Sequence, residues 1–243
     1  MTTTSTRPAT TTTNASTTST AWLTRLVLNP AHRQVQYDLG NAAALHRRVM
    51  KLVPDHLGDH PRAQAGVLFR IEPDTAPTPD AGPGTPVVLV QTQVPPDTSQ
   101  LPTGYTAHVH TRDMHAMLGA LRTGLPVRYR ILGNAVRRCG PNSTQGKWKQ
   151  AIPLHGTEAD QWWSDRANPA GLDLTTTRSE PAAAVSTRHN ETVRINRSAV
   201  LFEGTATVRD PQALRTALLQ GIGRSKSYGC GLLSLAPGTR AGT

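Results

Sequence analysis

The segment Asp210–Pro237, DPQALRTALLQGIGRSKSYGCGLLSLAP, constrains the fold more than any other stretch of this 243-residue chain. Asp210 followed by Pro211 has the form of an N-cap with proline at the first helical position. Leu214, Leu218 and Leu219 then recur at helical spacing, which predicts an amphipathic helix burying a leucine stripe. Gly221 can take the left-handed conformation that closes such a helix. GIGRSKSYGCG comes next, with Gly221, Gly223, Gly229 and Gly231 around Arg224, Ser225, Lys226, Ser227 and Tyr228. Leu232, Leu233 and Leu235 then read as a short buried strand. A Rossmann or P-loop turn follows a strand and opens a helix, whereas this loop follows a helix and opens a strand. No GxxxxGK[ST] pattern is present. What is left is a flexible loop with bare amides, two cations and three hydroxyls. That composition suits a polyanion at close range, and is equally that of a helix-to-strand connection with no ligand.

The charge balance narrows the class of partner. Lys and Arg number 26 against 16 Asp and Glu, a net charge of +10. An anionic partner follows, and nucleic acid comes before membrane because no apolar stretch is long enough to span a bilayer. Lysine occurs only at Lys51, Lys147, Lys149 and Lys226, so arginine, whose fork grips phosphate with two bonds, carries most of the charge. Readers of single-stranded RNA stack bases on exposed aromatics. Aromatic residues are only 4% here, and Phe69 and Phe202 lie outside any RNP motif. Phosphates and helical shape are therefore expected over stacked bases. Cys139 and Cys230 show neither CxxC spacing nor a disulfide framework, which predicts a reduced, cytoplasmic protein. Residues 1–20 are nearly all Thr, Ser and Ala and lack an apolar core, so a disordered tail is expected rather than a secretory signal.

Taken in order, the chain predicts a strand over Ala21–Leu28, a basic connection Ala31–Gly40, and a helix from Ala42 to about Val53 capped by Asn41. A polar, histidine-rich loop Asp55–Ala65 leads to strands at Gly66–Ile71 and Pro86–Gln93, joined by a long connection. Val94–Tyr105 reads as loop, Thr111 as the cap of a helix ended by Gly124, and Val127–Ile131 as a strand. That order is βαββαβ, the ferredoxin-like arrangement. The second half reads as a hairpin over Val136–Lys149, a helix Glu158–Arg166, and strands at Leu172–Thr176, Val193–Ile195 and Val200–Val208. The helix and strand of the opening segment then complete a second set. The expected architecture is α+β, two tandem ferredoxin-like (RRM-like) domains. Their expected spans are 21–135 and 136–237, between tails 1–20 and 238–243.

The C-terminal helix, GIGRSKSYGCG and the final LLSL resemble the glycine-rich signature of the repeat-associated RNA-binding superfamily of CRISPR proteins. With WLTRLVLNP at Trp22–Pro30, the chain resembles the CasE family, the RNA-processing endoribonuclease of type I-E CRISPR systems, over about residues 21–237. The resemblance implies that CRISPR repeat RNA is bound as a hairpin and cut at the 3′ base of its stem. The protein would then stay on the product as a subunit of the Cascade complex. No small-molecule cofactor, metal or membrane is implied.

Metal-free cleavage of RNA uses the adjacent 2′-hydroxyl as nucleophile. It needs a base for that hydroxyl, an acid for the leaving 5′-oxygen, and cations for the charge growing on phosphorus. By residue chemistry alone, His46 is the best of nine histidines, although a lone helix histidine is more often structural or solvated. The resemblance implies that His46, about one turn into NAAALHRRVMKLVP, occupies the place of the family's catalytic histidine. Ala43 occupies the place of a family tyrosine three residues earlier. Tyr37, Lys226 or Tyr228 are candidates to replace that group, as is water. Candidate RNA contacts are Arg47 beside His46, the hairpin cations Arg137, Arg138, Lys147 and Lys149, and Arg224, Ser225, Lys226 and Tyr228 of the glycine-rich loop. Arg47, Arg48 and Lys51 also fit a solvated helix face, and Arg128 and Arg130 the wet face of a sheet. His108 and His110 share a strand face but lack an acidic or cysteine partner at metal-site spacing. The readings kept open are this endoribonuclease, a non-catalytic RNA-binding subunit of the same fold, and a metal-dependent nuclease using His108 and His110.

Overall fold

The computed structural model describes residues 20–72, 82–144, 146–188 and 194–238. The first half builds one sheet from β1 (Trp22–Leu28), β2 (Leu68–Ile71), β3 (Val87–Thr92) and β4 (Thr106–Asp113), with α1 (Arg33–Leu39), α2 (Ala42–Met50) and α3 (Pro61–Gln64) between β1 and β2. The strands run antiparallel in the order β2-β3-β1-β4, the ferredoxin-like order. Strand alternation puts Leu26, Leu28, Phe69, Val88 and Val90 on one face, where they form a core with Leu45, Val49 and Leu52 from α2 and the turn after it. Asn41 caps α2 through its side-chain oxygen, 3.1 Å from the Ala43 amide and 3.3 Å from that of Ala44.

Two expectations for this half are corrected. The connection Ala31–Gly40 contains α1, started by His32, whose Nδ1 accepts from the Gln34 amide at 3.2 Å. Val94–Tyr105, read as loop, holds only a 3₁₀ turn, Thr98–Gln100. Thr111 caps no helix: it belongs to β4, and the short helix α4 (His115–Gly119) begins beyond it. β4 pairs with β1 alone among the described residues and is exposed from Ala107 to Asp113. An edge strand wet on both faces carries no apolar alternation, so the sequence could not announce it.

The second half builds an equivalent sheet from β5 (Pro126–Gly133), β8 (Leu172–Arg188), β9 (Arg194–Val208) and β10 (Leu233–Pro237), in the antiparallel order β10-β5-β9-β8. The strand at Val127–Ile131, expected to complete the first set, thus opens the second, because the missed β4 had already taken the fourth place. Helices α5 (Thr157–Ala167) and α6 (Pro211–Gln220) supply the remaining members. Trp162 and Trp163 are core residues, as expected, lying 5.8 and 5.9 Å from the Phe202 ring. The strands expected at Leu172–Thr176 and Val200–Val208 are the base of one long hairpin. β9 pairs with β5 only from Val200 to Thr207, so the rest of that hairpin is a two-stranded arm reaching past the sheet. The basic hairpin consists of β6 (Val136–Arg138) and β7 (Ala151–Pro153), its return strand starting after Lys149 rather than before it. The expected tails 1–20 and 238–243 lie outside the described residues apart from Thr20 and Gly238, as does Val193.

Polar side chains lock the two sheets together. Arg70 of β2, 1% exposed, donates five hydrogen bonds. Two reach Glu72 Oε1 at 2.6 and 2.8 Å; the others reach the carbonyls of Arg130 and Leu232 and the Ser234 hydroxyl. Arg130 in turn donates to Glu72 Oε2 at 2.7 Å and to Glu203. Gln91 and Gln93 of β3 donate to the carbonyls of Leu218 and Leu219, each at 2.8 Å, and so hold the last turn of α6. Arg130 is therefore committed to this junction, while Arg128 is exposed.

Candidate active site at the junction of the two sheets

The junction fixes where the glycine-rich turn goes. α6 ends at Gly221 with φ 72° and ψ 157°, a conformation reserved for glycine but extended rather than left-handed helical. A Cβ there would stand 2.7 Å from Leu68 Cδ2, so the backbone passes directly over β2. The chain then folds into a 3₁₀ turn, Lys226–Tyr228, that packs on α2 and β2. The expected bare amides hold only for part of the loop. The amides of Ile222, Tyr228, Gly229, Cys230 and Gly231 donate to carbonyls, and Asn134 donates to the Ser225 hydroxyl at 2.7 Å. Gly229 lies against the Phe69 ring.

Opposite that turn stands His46. It is half-buried on α2, its ring stacked on Phe69 at 6.2 Å and 19°. Its Nδ1 is buried without a hydrogen-bond partner. Burial, then the nearby charges of Arg62 and Arg47, push the imidazole below its usual value of 6.5. The physical sense is plain: a proton added here would create a charge in a partly dry, already positive place. The neutral ring is favoured near pH 7.

His46, Met50, Asp59, His60, Pro61, Arg62, Ala63 and Ser227 line one pocket of about 300 Å³. Residues from α2, from the loop and helix that follow it, and from the C-terminal turn thus meet around one cavity. Lys226 precedes Ser227 on the same 3₁₀ turn. Its Nζ donates to the Gln220 carbonyl at 2.7 Å, and burial followed by the charge of Arg62 holds its ammonium below the ordinary lysine range. Arg62 and Lys226 are therefore close enough to feel one another. The cavity is lined by the Arg62 guanidinium, the neutral His46 imidazole and the Asp59 carboxylate, with Lys226 close enough to feel Arg62, and cations so placed suit an anion that gains charge during reaction.

The other candidates divide. Tyr37 is 61% exposed on α1 and does not line this pocket. Arg47 is exposed beside His46, and Arg224 is exposed on the glycine-rich turn. Arg48 is structural: its Nε donates to Asp38 at 2.9 Å, and its guanidinium sits 5.2 Å from the centre of the Tyr105 ring. The Tyr105 hydroxyl also donates to Asp38, at 2.9 Å. Burial and the Asp38 charge push that phenol up, so it does not ionise at neutral pH.

Arg137, Arg138, Lys147 and Lys149 stand together on the β6–β7 hairpin, all exposed. Arg137 approaches Glu158 at 3.9 Å across solvent. Between the two lysines is Trp148, 64% exposed, with the Lys149 ammonium 4.0 Å above its ring. His108 and His110 face solvent on β4, and no group of three or more metal-ligating side chains occurs among the described residues. No helix among them is long and apolar enough to cross a membrane.

Sequence reasoning missed His60, Arg62 and Ser227. The one available signal was the histidine-rich composition of residues 55–65, which follows directly on the helix bearing His46. Nothing local showed that Ser227, 181 positions after His46, would complete the same pocket.

Comparison with known proteins shows the family and the fold. The family of CRISPR associated proteins matches residues 21–237. The CRISPR-associated endoribonuclease Cse3 of Thermus thermophilus is 32% identical over 227 residues, covering 89% of this chain and all of that protein. The CRISPR system Cascade subunit CasE of Escherichia coli K12 is 30% identical over 204 residues, 79% of this chain and 90% of the relative. The structure of Thermus thermophilus Cse3 bound to an RNA representing a pre-cleavage complex superimposes with a TM-score of 0.73 at 32% identity. That match covers 89% of this chain and 99% of the other.

Proposed function

This chain belongs to the family of CRISPR associated proteins that includes Cse3 and CasE, and on that premise we propose that it is the endoribonuclease that cuts CRISPR repeat RNA. It binds the stem-loop of the repeat, cleaves the precursor at the 3′ base of the stem, and stays on the mature guide as a subunit of Cascade. The relatives' names support the substrate and the assembly. The observation that carries the chemistry is the junction pocket, where His46 from one sheet's helix meets the glycine-rich turn of the other.

The mechanism follows from the groups around that pocket. The scissile phosphate enters with the 2′-hydroxyl of the preceding ribose facing His46. The neutral imidazole takes the hydroxyl proton as the 2′-oxygen attacks phosphorus. A P–O2′ bond forms and the P–O5′ bond breaks, giving a 2′,3′-cyclic phosphate and a 5′-hydroxyl. Arg62 and Lys226 face the two non-bridging oxygens and offset the charge that builds on them. The turn around Ser227 closes one side of the site and limits water. Outside the pocket, Arg137, Arg138, Lys147 and Lys149 grip the stem phosphates, with Arg47 and Arg224 on the path between. The reaction needs no metal ion, since base and cations all come from side chains. It takes place in the cytoplasm, where the buried Cys139 and Cys230, which form no disulfide, remain thiols.

The test is incubation of repeat RNA with the protein in EDTA, with the new ends analysed chemically. Cutting that persists in EDTA and leaves a cyclic phosphate is the expected result. Binding without cutting would reduce the protein to an RNA-holding subunit. Cutting abolished by EDTA and restored by a divalent ion would replace the mechanism with a metal-dependent one.

A further inference from the structure

The reaction proposed above requires two proton transfers, and His46 in its neutral form can perform only one of them at a time. The leaving 5′-oxygen departs as an alkoxide unless something in the same pocket protonates it. Ala43 puts no hydroxyl on the exposed turn of α2, and Tyr37 does not line the cavity. Few proton donors remain among the lining groups, and the geometry points to His60 as the general acid that protonates the leaving 5′-oxygen. This inference rests on the endoribonuclease reading and names a second catalytic residue for it.

Three observations place His60 in that role. It lines the same pocket as His46, on the wall carried by α3. It occupies the N-cap position of α3, yet its side chain makes no capping bond, so the imidazole is not committed to holding the helix. His32, at the corresponding position of α1, shows the contrast: its Nδ1 is taken up by the Gln34 amide. The third observation concerns the alternatives. Arg62 is a guanidinium that does not surrender its proton near neutrality, and the Lys226 ammonium, one of whose three donors is on the Gln220 carbonyl, is assigned above to the non-bridging oxygens. An imidazole is the side chain best suited to give up a proton near neutral pH.

The surroundings are defined by the described residues. Asp59 and Arg62 flank His60 on its own segment, His46 faces it from α2 with Arg47 behind, and Lys226 and Ser227 close the side formed by the 3₁₀ turn. In the full step the 2′-hydroxyl proton passes to His46, and the 2′-oxygen displaces the 5′-oxygen at phosphorus. The 5′-oxygen takes a proton from the His60 imidazolium. His46 ends protonated and His60 neutral, and exchange with water restores both.

A leaving-group substitution tests this directly. Repeat RNA is made with the normal 5′-oxygen at the scissile bond, and separately with sulfur in that bridging position. A thiolate leaves without being protonated, so sulfur removes the need for an acid. Single-turnover cleavage of both substrates is measured for wild type, His60→Ala, His60→Gln and His46→Ala. His60→Ala is expected to slow the oxygen substrate by about 10²–10³-fold while leaving the sulfur substrate within about threefold of wild type. His60→Gln should behave the same way, and His46→Ala should slow both substrates. If both His60 variants slow the two substrates equally, or slow neither, His60 is not the acid. If wild type itself cuts neither substrate, the endoribonuclease reading fails first and takes the acid with it. His60 is exposed, so its variants should fold, and equal RNA affinity of the three variants and wild type checks that they do.

Discussion

Replacing Glu72 by glutamine should damage this protein more than replacing Arg70, although Arg70 makes the larger number of hydrogen bonds. Arg70 is 1% exposed and Glu72 7%. In Glu72→Gln the Arg70 guanidinium keeps its position but loses the one carboxylate that pairs with it among the described residues, while Arg130 still has Glu203. A buried charge left uncompensated costs about 3–5 kcal/mol. In Arg70→Met the carboxylate of Glu72 keeps Arg130 at 2.7 Å, and what disappears is the set of hydrogen bonds to two carbonyls and the Ser234 hydroxyl. Leaving such acceptors unpaired costs about 1–3 kcal/mol. The assay is urea unfolding followed by fluorescence and circular dichroism together, since two sheets joined by one network should melt as a unit. With a slope of about 3 kcal/mol per molar urea, Glu72→Gln should move the midpoint down by about 1–1.7 M. The double variant should cost less than the sum of the singles, by about 1–3 kcal/mol, because each removes the other's reason for harm. A Glu72→Gln cost below about 1 kcal/mol, or below that of Arg70→Met, would refute the view that this buried pair joins the halves.

Three further outcomes follow from the site. Arg62 lowers the His46 proton affinity, so Arg62→Gln should raise it and move the acid limb of the single-turnover rate to higher pH; an unmoved limb, or one moved down, would contradict the electrostatic reading. Gly221→Ala forces a side chain into a glycine-only conformation and 2.7 Å from Leu68, and should cost about 1–3 kcal/mol and most of the cleavage rate. Gly140→Ala, with nothing within 4 Å, should change neither, and equal effects of the two would remove the strain argument. Arg137→Gln and Lys147→Gln should each weaken repeat binding and flatten its salt dependence, by about 0.7–0.9 units of log–log slope for each phosphate no longer neutralised; an unchanged slope would take them off the RNA surface.

What the sequence could and could not say has a physical pattern. The segment from Asp210 to Pro237 was readable because cap, leucine stripe, glycines and strand are all local signals. The resulting helix and strand match it closely, Pro211–Gln220 and Leu233–Pro237. His46 was legible as a histidine on a helix with Leu45 and Val49 turned inward, and both are buried. β4 was illegible because an edge strand exposed on both faces has no period to detect, and missing it displaced Val127–Ile131 into the wrong sheet. The conformation at Gly221 was half legible: the composition demanded a positive φ, but the extended ψ follows from the chain crossing Leu68. The pocket itself joins His46, Arg62 and Ser227 through tertiary packing, and Arg70 and Gln91, which set that packing, read from sequence as ordinary strand residues.

The central claim is that the His46 imidazole performs the proton transfer that lets the 2′-hydroxyl attack. The most direct measurement is the single-turnover cleavage rate of repeat RNA by His46→Ala, taken beside its affinity for the same RNA. The account predicts cleavage slowed by about 10²–10⁴-fold with affinity unchanged within a factor of two or so. Cleavage close to the wild-type rate, or a loss explained wholly by weaker binding, would contradict it.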